Sequence, residues 1–352
     1  MAGFRHRLAR IALWGVGAFT LAGCALIEID GSLTTFEPAG PNARRLDDLF
    51  WLVFWIATAV FALVMMGLLF IVFVFRDRGK EGAKEPKQLH GNAKLEVLWT
   101  VIPALILAAI AVPTVSSVFE LTGCDDDSMR IEVIGHQWWF EYHYPDYGFD
   151  TANVLVMPVD EEVCLEMTSE DVLHNFWVPA IHGKRYLVPG QITLLRFEAD
   201  RVGTFQGHCA EFCGLSHSLM RAQVEVVSRT DFEQWAAAQQ LPASIPEEGT
   251  PAFAGFEIYR NRCIQCHAMR FDQDDLSISI ERTAFNGPDL THFASRGVFA
   301  GAVLPEGGEA RDDALRRWLA DPPNIKPGSF MPDLMLSEQE IDSLMAFLGG
   351  NE

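Results

Sequence analysis

The stretch GHCAEFCGLSHSLM, residues 207–220, concentrates two cysteines, two histidines and a methionine on one short segment. A disulfide, a zinc site, a redox thiol pair and a copper centre would each use some of these residue types. Zinc accepts cysteine and histidine but has no use for methionine, whereas thiolate, thioether and imidazole ligands together favour copper. A mononuclear blue-copper site takes one cysteine. The pair Cys209 and Cys213 therefore indicates two copper ions bridged by both sulfurs.

Length and composition indicate a protein with both membrane and water-exposed parts. The chain has 352 residues, enough for more than one domain. Its hydrophobic content of 49% is high for a purely soluble protein, while its formal net charge of −20 requires a large surface in water. An acidic surface argues against nucleic acid as a partner. It fits either solubility alone or a basic protein partner.

The N-terminus has the features of a bacterial secretion signal. Residues 1–24, MAGFRHRLARIALWGVGAFTLAGC, combine a basic start, a short apolar run and small residues before a cysteine. We predict a signal peptide over 1–23, cleavage and lipidation at Cys24, and an extracytoplasmic segment over 24–48. The alternative is a signal anchor in which Cys24 is incidental.

Two uncharged runs, 49–75 and 97–119, are each long enough to cross the hydrocarbon core of a bilayer as a helix. The loop 76–96 between them is rich in lysine and arginine, and such loops stay in the cytoplasm. These features predict a transmembrane hairpin over 49–120 with both ends outside. Everything that follows the hairpin then lies on the outer face of the membrane.

Two further domains are predicted after the hairpin. Residues 121–235 contain short runs rich in β-branched and aromatic residues, several of them alternating with polar residues, and turn formers separate the runs. This pattern predicts an antiparallel β-sandwich or barrel with Greek-key connections. The segment 236–250 lacks periodicity and is predicted to be a linker. Residues 251–352 are predicted to form a small helical domain, whose last helix begins at Ser337 with a capping box.

The C-terminal segment contains a heme attachment motif. In CIQCH, the thiols of Cys263 and Cys266 are spaced to add to the vinyl groups of a porphyrin, and His267 supplies one axial ligand. A thioredoxin-like redox pair is the alternative, but it is expected beside a βαβ unit, which the sequence does not predict. We predict Met331 as the second axial ligand, because the prolines and glycine around it favour a loop. Met335 is a weaker competitor.

These motifs together resemble a known family. HCAEFCGLSHSLM, His174 in SEDVLHNFWVP, GHQWWFEY and KLEVLWTVIP resemble subunit II of cytochrome c oxidase, in the family's order, over about residues 45–230. The order of CIQCH, NGPDL, the Met331 loop and a final helix resembles class I cytochromes c, as in bacterial oxidases whose subunit II has a fused heme domain. The implied fold is a multidomain membrane protein with a two-helix transmembrane hairpin, an all-β cupredoxin-like Greek-key domain and a small all-α cytochrome c domain.

The resemblance implies a complete ligand set for a binuclear CuA centre. The implied ligands are the bridging thiolates of Cys209 and Cys213, with His174 and Met220 on one copper and His217 and the Glu211 carbonyl on the other. The Glu211 side chain is also implied as a ligand of a Mg²⁺ ion shared with subunit I. One position departs from the family, because His208 stands where a glutamine usually precedes the first cysteine. We leave His208 out of the ligand set, since neighbours on a strand point to opposite faces.

Further residues have implied roles outside the copper ligand set. The resemblance implies that electrons enter CuA through Trp138 and that Glu96 lies at the entrance of a proton pathway into subunit I. Two cysteines, Cys124 and Cys164, remain after one is assigned to lipid, two to copper and two to heme. Both are predicted to lie outside the membrane, where they form either a disulfide or two free thiols.

The implied function is that of a subunit through which electrons enter a terminal respiratory oxidase. Electrons from a soluble cytochrome c or similar donor would reach the covalent heme c, then CuA, and then subunit I, where oxygen is reduced to water with proton pumping. Subunit I, subunit III and membrane lipid are the implied partners, in a bacterial cytoplasmic membrane that the chain crosses twice. The alternatives are the CuA subunit of a nitric oxide reductase and, in a different class, a copper chaperone or redox-sensing lipoprotein.

Overall fold

Three structural units follow one another along the chain: a pair of long helices, a β-sandwich and a small helical domain. The computed structural model describes residues 33–76, 91–272 and 287–350. The predicted signal peptide, Cys24 and most of the loop between the long helices lie outside these ranges.

The two long helices, α1 (Pro41–Val74) and α2 (Ala93–Leu121), are long and apolar enough to cross a membrane. Helix α1 begins roughly two turns before the uncharged run that predicted it. Pro41 is preorganised for a first helical turn, and the Asn42 side-chain amide donates to the carbonyl oxygen of Arg196 at 3.0 Å. The first turns of α1 therefore lie against the β-sandwich, outside the apolar span.

Contacts near the outer ends of α1 and α2 hold them as a hairpin. Arg45 in α1 forms an ion pair with Glu120 in α2, and its Nε donates to Ser117 Oγ at 3.2 Å. At the other end of α2, the Asn92 side chain accepts hydrogen bonds from backbone N–H groups of the first turn. The capped N-terminus of α2 thus lies at the opposite end of the helix from the β-sandwich.

The β-sandwich consists of two five-stranded sheets. The first sheet has the order β3 (Phe149–Ala152), β2 (Trp139–Tyr144), β1 (Met129–His136), β5 (Val163–Ser169) and β8 (Thr193–Phe197). The second sheet has the order β4 (Val154–Pro158), β10 (Arg221–Val227), β9 (Gly203–Cys209), β6 (His174–Trp177) and β7 (Arg185–Leu187). Large aromatic side chains, among them Phe140, Phe176 and Phe197, are fully buried in its core.

Each sheet contains one parallel strand pair, so the prediction of a purely antiparallel sandwich was wrong. Strand β1 pairs in parallel with β5, and β4 pairs in parallel with β10. After β3 the chain crosses to the second sheet to form β4, and it then returns to the first sheet to form β5. Because β5 arrives by a crossover and not by a hairpin, it can run in the same direction as β1. In the second sheet, β6 and β9 are antiparallel neighbours, which brings His174 close to Cys209.

A helix and a disulfide complete the β-sandwich. Helix α3 (Arg229–Gln239) buries Phe232 and Ala236 in the core of the sandwich. A disulfide joins Cys124, just beyond α2, to Cys164 in β5. Of the two alternatives for these cysteines, the structure contains the disulfide. The bond ties the membrane hairpin covalently to the sandwich.

The C-terminal domain has its own hydrophobic core, and its helices are its regular elements within the described residues. These helices are α4 (Pro251–Ile258), which continues as a π-helical turn over Tyr259–Cys263, α5 (Arg311–Ala320), α6 (Pro322–Ile325) and α7 (Glu338–Leu348). Helix α4 crosses α7 closely, because a Cβ on Gly255 would lie 2.7 Å from the Cβ of Phe347. The predicted capping box between Ser337 and Glu340 is present at the start of α7.

The segment predicted as a linker, 236–250, is attached to both of the domains that it joins. Its first residues belong to α3. Beyond that helix, the N–H of Ala243 donates to the carbonyl of Arg270 at 2.8 Å, and Nε2 of His292 lies 2.7 Å from the carbonyl oxygen of Leu241. The backbone groups of this segment are thus satisfied by the C-terminal domain, which a search for periodicity cannot detect.

Candidate metal centre and C-terminal pocket

Three buried side chains converge at one end of the second sheet. His174 begins β6, Cys209 ends β9, and Cys213 lies on the loop that follows β9. Their ligand atoms all lie within 4.8 Å of one another. The two sulfur atoms are 3.8 Å apart, and Nδ1 of His174 is 3.9 Å from Sγ of Cys209. The cysteines form no disulfide with each other, so both sulfurs remain available in one pocket.

The loop after β9 brings the other predicted ligands to this cluster. Nδ1 of His217 lies 3.6 Å from the sulfur of Cys213, and Sδ of Met220 lies 3.9 Å from the same atom. The carbonyl oxygen of Glu211 lies 3.2 Å from the sulfur of Cys209. All the predicted copper ligands are therefore assembled around two sulfur atoms. Two thiols, a thioether and two imidazoles form a donor set that suits copper.

A buried carboxylate that the sequence analysis did not select orients His174. Oδ1 of Asp171 lies 2.7 Å from Nε2 of His174, and the backbone N–H groups of Gln137 and Val172 each donate to Asp171 at 2.6 Å. Burial opposes ionisation of Asp171, but these hydrogen bonds outweigh it and lower the pKa of the carboxyl group. A charged acceptor at Nε2 leaves Nδ1 to face the sulfurs as a ligand. The only hint in the sequence was the nearness of Asp171 to His174.

The two thiols of the cluster interact with each other. Their contact lowers the pKa of Cys209 and raises the pKa of Cys213. Metal binding by both sulfurs would displace the thiol protons.

Two residues beside the cluster, His208 and Gly135, differ in whether they contact its ligands. The ring of His208 packs against Trp177, with centroids 5.1 Å apart, and burial lowers the pKa of His208. This position, away from the sulfurs, follows from the alternation of side chains along β9. Gly135 lies directly against the ligand, because a Cβ at that position would be 2.7 Å from Cδ2 of His174. Only glycine leaves room for the imidazole there.

Trp138 connects the cluster to the C-terminal domain. Its indole Nε1 donates to the carbonyl of Cys213 at 3.1 Å, and its ring stacks on Phe330 with centroids 6.2 Å apart. Only 6% of Trp138 is exposed. The residue predicted to admit electrons therefore lies beneath the C-terminal domain and not at an open surface.

A cavity contains all the residues predicted to bind heme. Cys263, Cys266, His267 and Met331 line it, and its empty volume is about 1210 Å³, part of it open to solvent. Nδ1 of His267 lies 2.8 Å from the carbonyl oxygen of Pro288, which leaves Nε2 available to a ligand. Aromatic side chains from both domains form much of the wall: Trp138, Trp139, Phe293, Phe299, Trp318 and Phe330.

Two features of this cavity bear on whether it suits a heme. Met335 is 85% exposed, and among the described methionines only Met331 lines the cavity. Arg296 is buried in the wall, and its Nε and Nη2 atoms have no hydrogen-bond partner within the described residues. The Asp289 carboxylate partly offsets the charge of Arg296, but buried N–H groups without acceptors remain costly. The carboxylates of a porphyrin would accept hydrogen bonds from these groups.

The carboxylates of Glu96 and Glu211 belong neither to the sulfur cluster nor to the lining of the cavity. Glu96 is in the first turn of α2, where its Oε1 accepts a hydrogen bond from the N–H of Asn92 at 3.2 Å. The carboxylate of Glu211 interacts with the Tyr186 hydroxyl, and in the described ranges it belongs to no cluster of three metal-ligating groups. The predicted roles of both groups depend on a second subunit, so they stay predictions.

Comparison with known families identifies relatives of this chain, and the family models match its long helices and most of its β-sandwich. The family model for the transmembrane domain of cytochrome c oxidase subunit II matches residues 31–116, and the model for its periplasmic domain matches residues 148–227. The chain is 36% identical over 337 residues to cytochrome c oxidase subunit 2 of Alkalihalophilus pseudofirmus, a match that covers 93% of this chain and 92% of that protein. The chain belongs to the cytochrome c oxidase subunit 2 family.

Two further proteins are similar to this chain. Quinol oxidase subunit 2 of Bacillus spizizenii is 31% identical, and the match covers 64% of this chain and 70% of that protein. The second is the periplasmic domain of subunit II of cytochrome oxidase from Bradyrhizobium japonicum, known from a crystal structure, whose sequence is 29% identical to this chain. The match covers 34% of this chain and 97% of that domain, with a TM-score of 0.32. Family membership makes the chain an electron-transfer subunit of a terminal oxidase.

Proposed function

We propose that this chain holds a binuclear CuA centre at the sulfur cluster and a covalent heme c in the C-terminal cavity. The observation that supports the copper centre most strongly is the pair of sulfur atoms 3.8 Å apart. An imidazole nitrogen lies within 3.9 Å of each sulfur. Such a pair of sulfurs can bridge two soft metal ions. Copper bound there would supply a one-electron redox centre.

The chain would complete each copper with groups that already lie beside the sulfurs. His174 and Met220 would bind one ion, and His217 with the carbonyl of Glu211 would bind the other. Met220 is fully buried, and His174 lies on a strand whose Asp171 neighbour orients its ring. A ligand set held by rigid, buried elements keeps its geometry when the charge of the centre changes.

The C-terminal cavity supports a heme c for similar reasons. Cys263 and Cys266 would form the thioether bonds, and His267 and Met331 would be the axial ligands. Arg296, whose Nε and Nη2 atoms lack hydrogen-bond partners among the described residues, would pair with a heme carboxylate. The match to the cytochrome c oxidase subunit covers 93% of the chain, and the match to the quinol oxidase subunit covers 64%.

In the complete oxidase, the chain would pass electrons from a soluble cytochrome c or similar donor to subunit I, which reduces oxygen to water with proton pumping. Subunit III would be a further partner. Trp138 would be the electron contact beside CuA, Glu96 would lie at the entrance of a proton pathway, and the Glu211 carboxylate would bind a Mg²⁺ ion shared with subunit I. The two long helices would cross the bacterial cytoplasmic membrane, with both cofactor domains on its outer face. A lipid on Cys24 would provide a second anchor.

Spectroscopy of the purified oxidase complex tests both cofactors. The electron paramagnetic resonance spectrum should show hyperfine structure from two equivalent copper ions, and heme should remain on this chain after denaturing electrophoresis. Cys213→Ser should abolish the two-copper signal and leave the covalent heme in place. A mononuclear copper signal in the unmodified complex, or a chain without heme, contradicts the proposal. Oxygen uptake that cyanide inhibits, without consumption of nitric oxide, distinguishes the oxidase from a nitric oxide reductase.

A further inference from the structure

Lys326 is a buried cation at the contact between the C-terminal domain and the β-sandwich. The residue is 4% exposed. Its Nζ donates to the carbonyl of Trp138 in the sandwich, and it also donates to the carbonyl of Ala300 in the C-terminal domain at 2.9 Å. One ammonium group therefore joins the backbones of the two domains.

Among the described residues, the amino group of Lys326 has carbonyl partners but no carboxylate partner. Burial lowers the pKa of Lys326 to about 7, the Cys213 sulfur opposes this shift, and no described carboxylate contributes to it. Replacing a buried charge by an apolar side chain of similar volume is often neutral or stabilising. A gain in stability is therefore a poor explanation for a lysine at this position. Its two hydrogen bonds fix a geometry that an apolar side chain would leave free.

The two domains fit closely around Trp138. A Cβ on Gly301 would lie 2.6 Å from the carbonyl oxygen of Trp138, and a Cβ on Gly328 would lie 2.8 Å from Cη2 of its ring. Beside this contact, Ser216 Oγ donates to the carbonyl of Pro327 at 2.5 Å. Rotation of the C-terminal domain on this surface would break these contacts together.

The segment that begins at Lys326 also contains the predicted axial ligand. Lys326 follows α6 directly, and the chain runs from it through Phe330, which stacks on Trp138, to Met331 in the cavity wall. Trp138 in turn donates to the carbonyl of Cys213. The position of Lys326 on Trp138 therefore sets the placement of Met331 relative to the copper cluster.

We propose that Lys326 is a positioning residue that holds the C-terminal domain in one orientation on Trp138. The heme cavity then faces the copper cluster continuously, so the domain is a fixed relay and not a tethered carrier that swings between an outside donor and the copper. In the step that this arrangement would serve, one electron would leave the heme iron, which would be oxidised, and enter the copper pair, which would be reduced. A cytochrome donor would then reduce the heme again. This inference rests on the proposed heme and copper sites.

Substitutions at Lys326 in the intact oxidase complex test the inference. Lys326→Met keeps the side-chain volume and removes the donors, whereas Lys326→Gln keeps an N–H donor. Arg316→Met is the control, because Arg316 is a cation on the exposed face of α5 that pairs with Glu338 and Asp342 within the same domain. Heme and copper contents are measured first. Absence of either cofactor from the unmodified complex overturns the proposed function, and the inference with it.

With both cofactors present, electron transfer from photoreduced heme to copper should slow about tenfold in Lys326→Met, because loss of the single orientation lengthens the average separation of the two redox centres. Lys326→Gln should recover part of the rate, and Arg316→Met should keep the full rate. The distribution of distances between heme iron and copper, from pulsed paramagnetic resonance, should broaden in Lys326→Met. An unchanged rate and distance distribution in Lys326→Met, or an equal loss in Arg316→Met, would overturn the inference.

Discussion

Nε2 of His174 lies 2.7 Å from Oδ1 of Asp171, while Nδ1 of the same ring faces the sulfur of Cys209 at 3.9 Å. The two nitrogens of one imidazole thus have separate partners. The carboxylate determines which nitrogen is left to bind a metal and holds the plane of the ring. Metal binding at this site therefore depends on a residue that is not itself a ligand.

We predict that Asp171→Asn weakens copper binding about tenfold to hundredfold, the usual effect of losing an outer-shell partner of a metal-bound histidine. The amide cannot supply the negative charge that fixes the tautomer of His174. Copper titration of the metal-depleted complex, followed by its paramagnetic resonance spectrum, measures the change. Glu170→Gln removes a charge from the exposed neighbouring position and should bind copper normally. Equal affinities of Asp171→Asn and the unmodified complex would exclude the orienting role.

The two histidines of the ligand loop should respond differently to substitution. His217→Ala removes an imidazole whose Nδ1 is 3.6 Å from Cys213 Sγ, so it should destroy the equivalence of the two coppers. His208→Ala removes a ring that packs on Trp177 instead, so the two-copper hyperfine pattern should persist. Paramagnetic resonance and the ratio of copper to protein measure both outcomes. Loss of the pattern in His208→Ala would mean that the ligand set is incomplete.

The heme potential should depend on Met331 and not on Met335. A thioether axial ligand raises the potential of a His-ligated heme, so Met331→His should lower it by more than about 60 mV, a tenfold change in a one-electron equilibrium. Redox titration of the heme absorption measures the shift. Met335→Leu is the matched control, because Met335 is 85% exposed and should leave the potential unchanged. A shift in the Met335 variant alone would reverse the assignment.

The disulfide should stabilise the β-sandwich by closing a long loop. Cys124 and Cys164 are separated by 40 residues, and the chain-entropy relation gives about 4 kcal/mol for a loop of this length. Cys124→Ala combined with Cys164→Ala should therefore lower the free energy of unfolding by up to about that amount. Denaturant unfolding followed by tryptophan fluorescence measures the loss, and the copper spectrum before unfolding should be unchanged. An unaltered midpoint would show that the unfolded chain gains little freedom from loss of the bond.

The stability of the C-terminal domain should increase with pH because of Lys326. Burial depresses its pKa from 10.5 to about 7, so between these values the unfolded chain binds a proton that the folded chain does not. The folded state is therefore favoured most above pH 10.5, and this advantage is lost as the pH falls to about 7. Lys326→Met should remove this dependence and unfold at higher denaturant at pH 7. Denaturant unfolding followed by heme absorption at pH 7 and pH 9.5 measures the difference, with Arg316→Met expected to behave as the unmodified protein.

The copper ligands could be predicted because their chemistry is local. All of them except His174 lie within residues 207–220, and their spacing alone favours soft metal ions. Asp171 was not predicted, since a carboxylate in a loop is ordinary until the fold buries it beside His174. The contact of Lys326 with Trp138 could not be predicted from the sequence, for a stronger reason. Its partner Trp138 is 188 positions away along the chain, and no local pattern reports such a contact.

The fold was predictable to a similar extent. Uncharged runs defined the apolar spans, but they could not show that α1 begins at Pro41, because the first turns of that helix pack on the sandwich and not in lipid. Alternation predicted strands in the β-domain without indicating their neighbours. The parallel pairing of β1 with β5 follows from a crossover between the sheets, which is a property of the whole domain.

Gly135 contributes neither charge, nor hydrogen bond, nor metal ligand through a side chain. The space that it leaves is nevertheless filled by the imidazole of His174, and even one methyl group would collide with that ring. The requirement at this position is an empty volume. A definition of the functional site by reactive groups alone would omit Gly135, although the geometry of the site depends on it as directly as on a ligand.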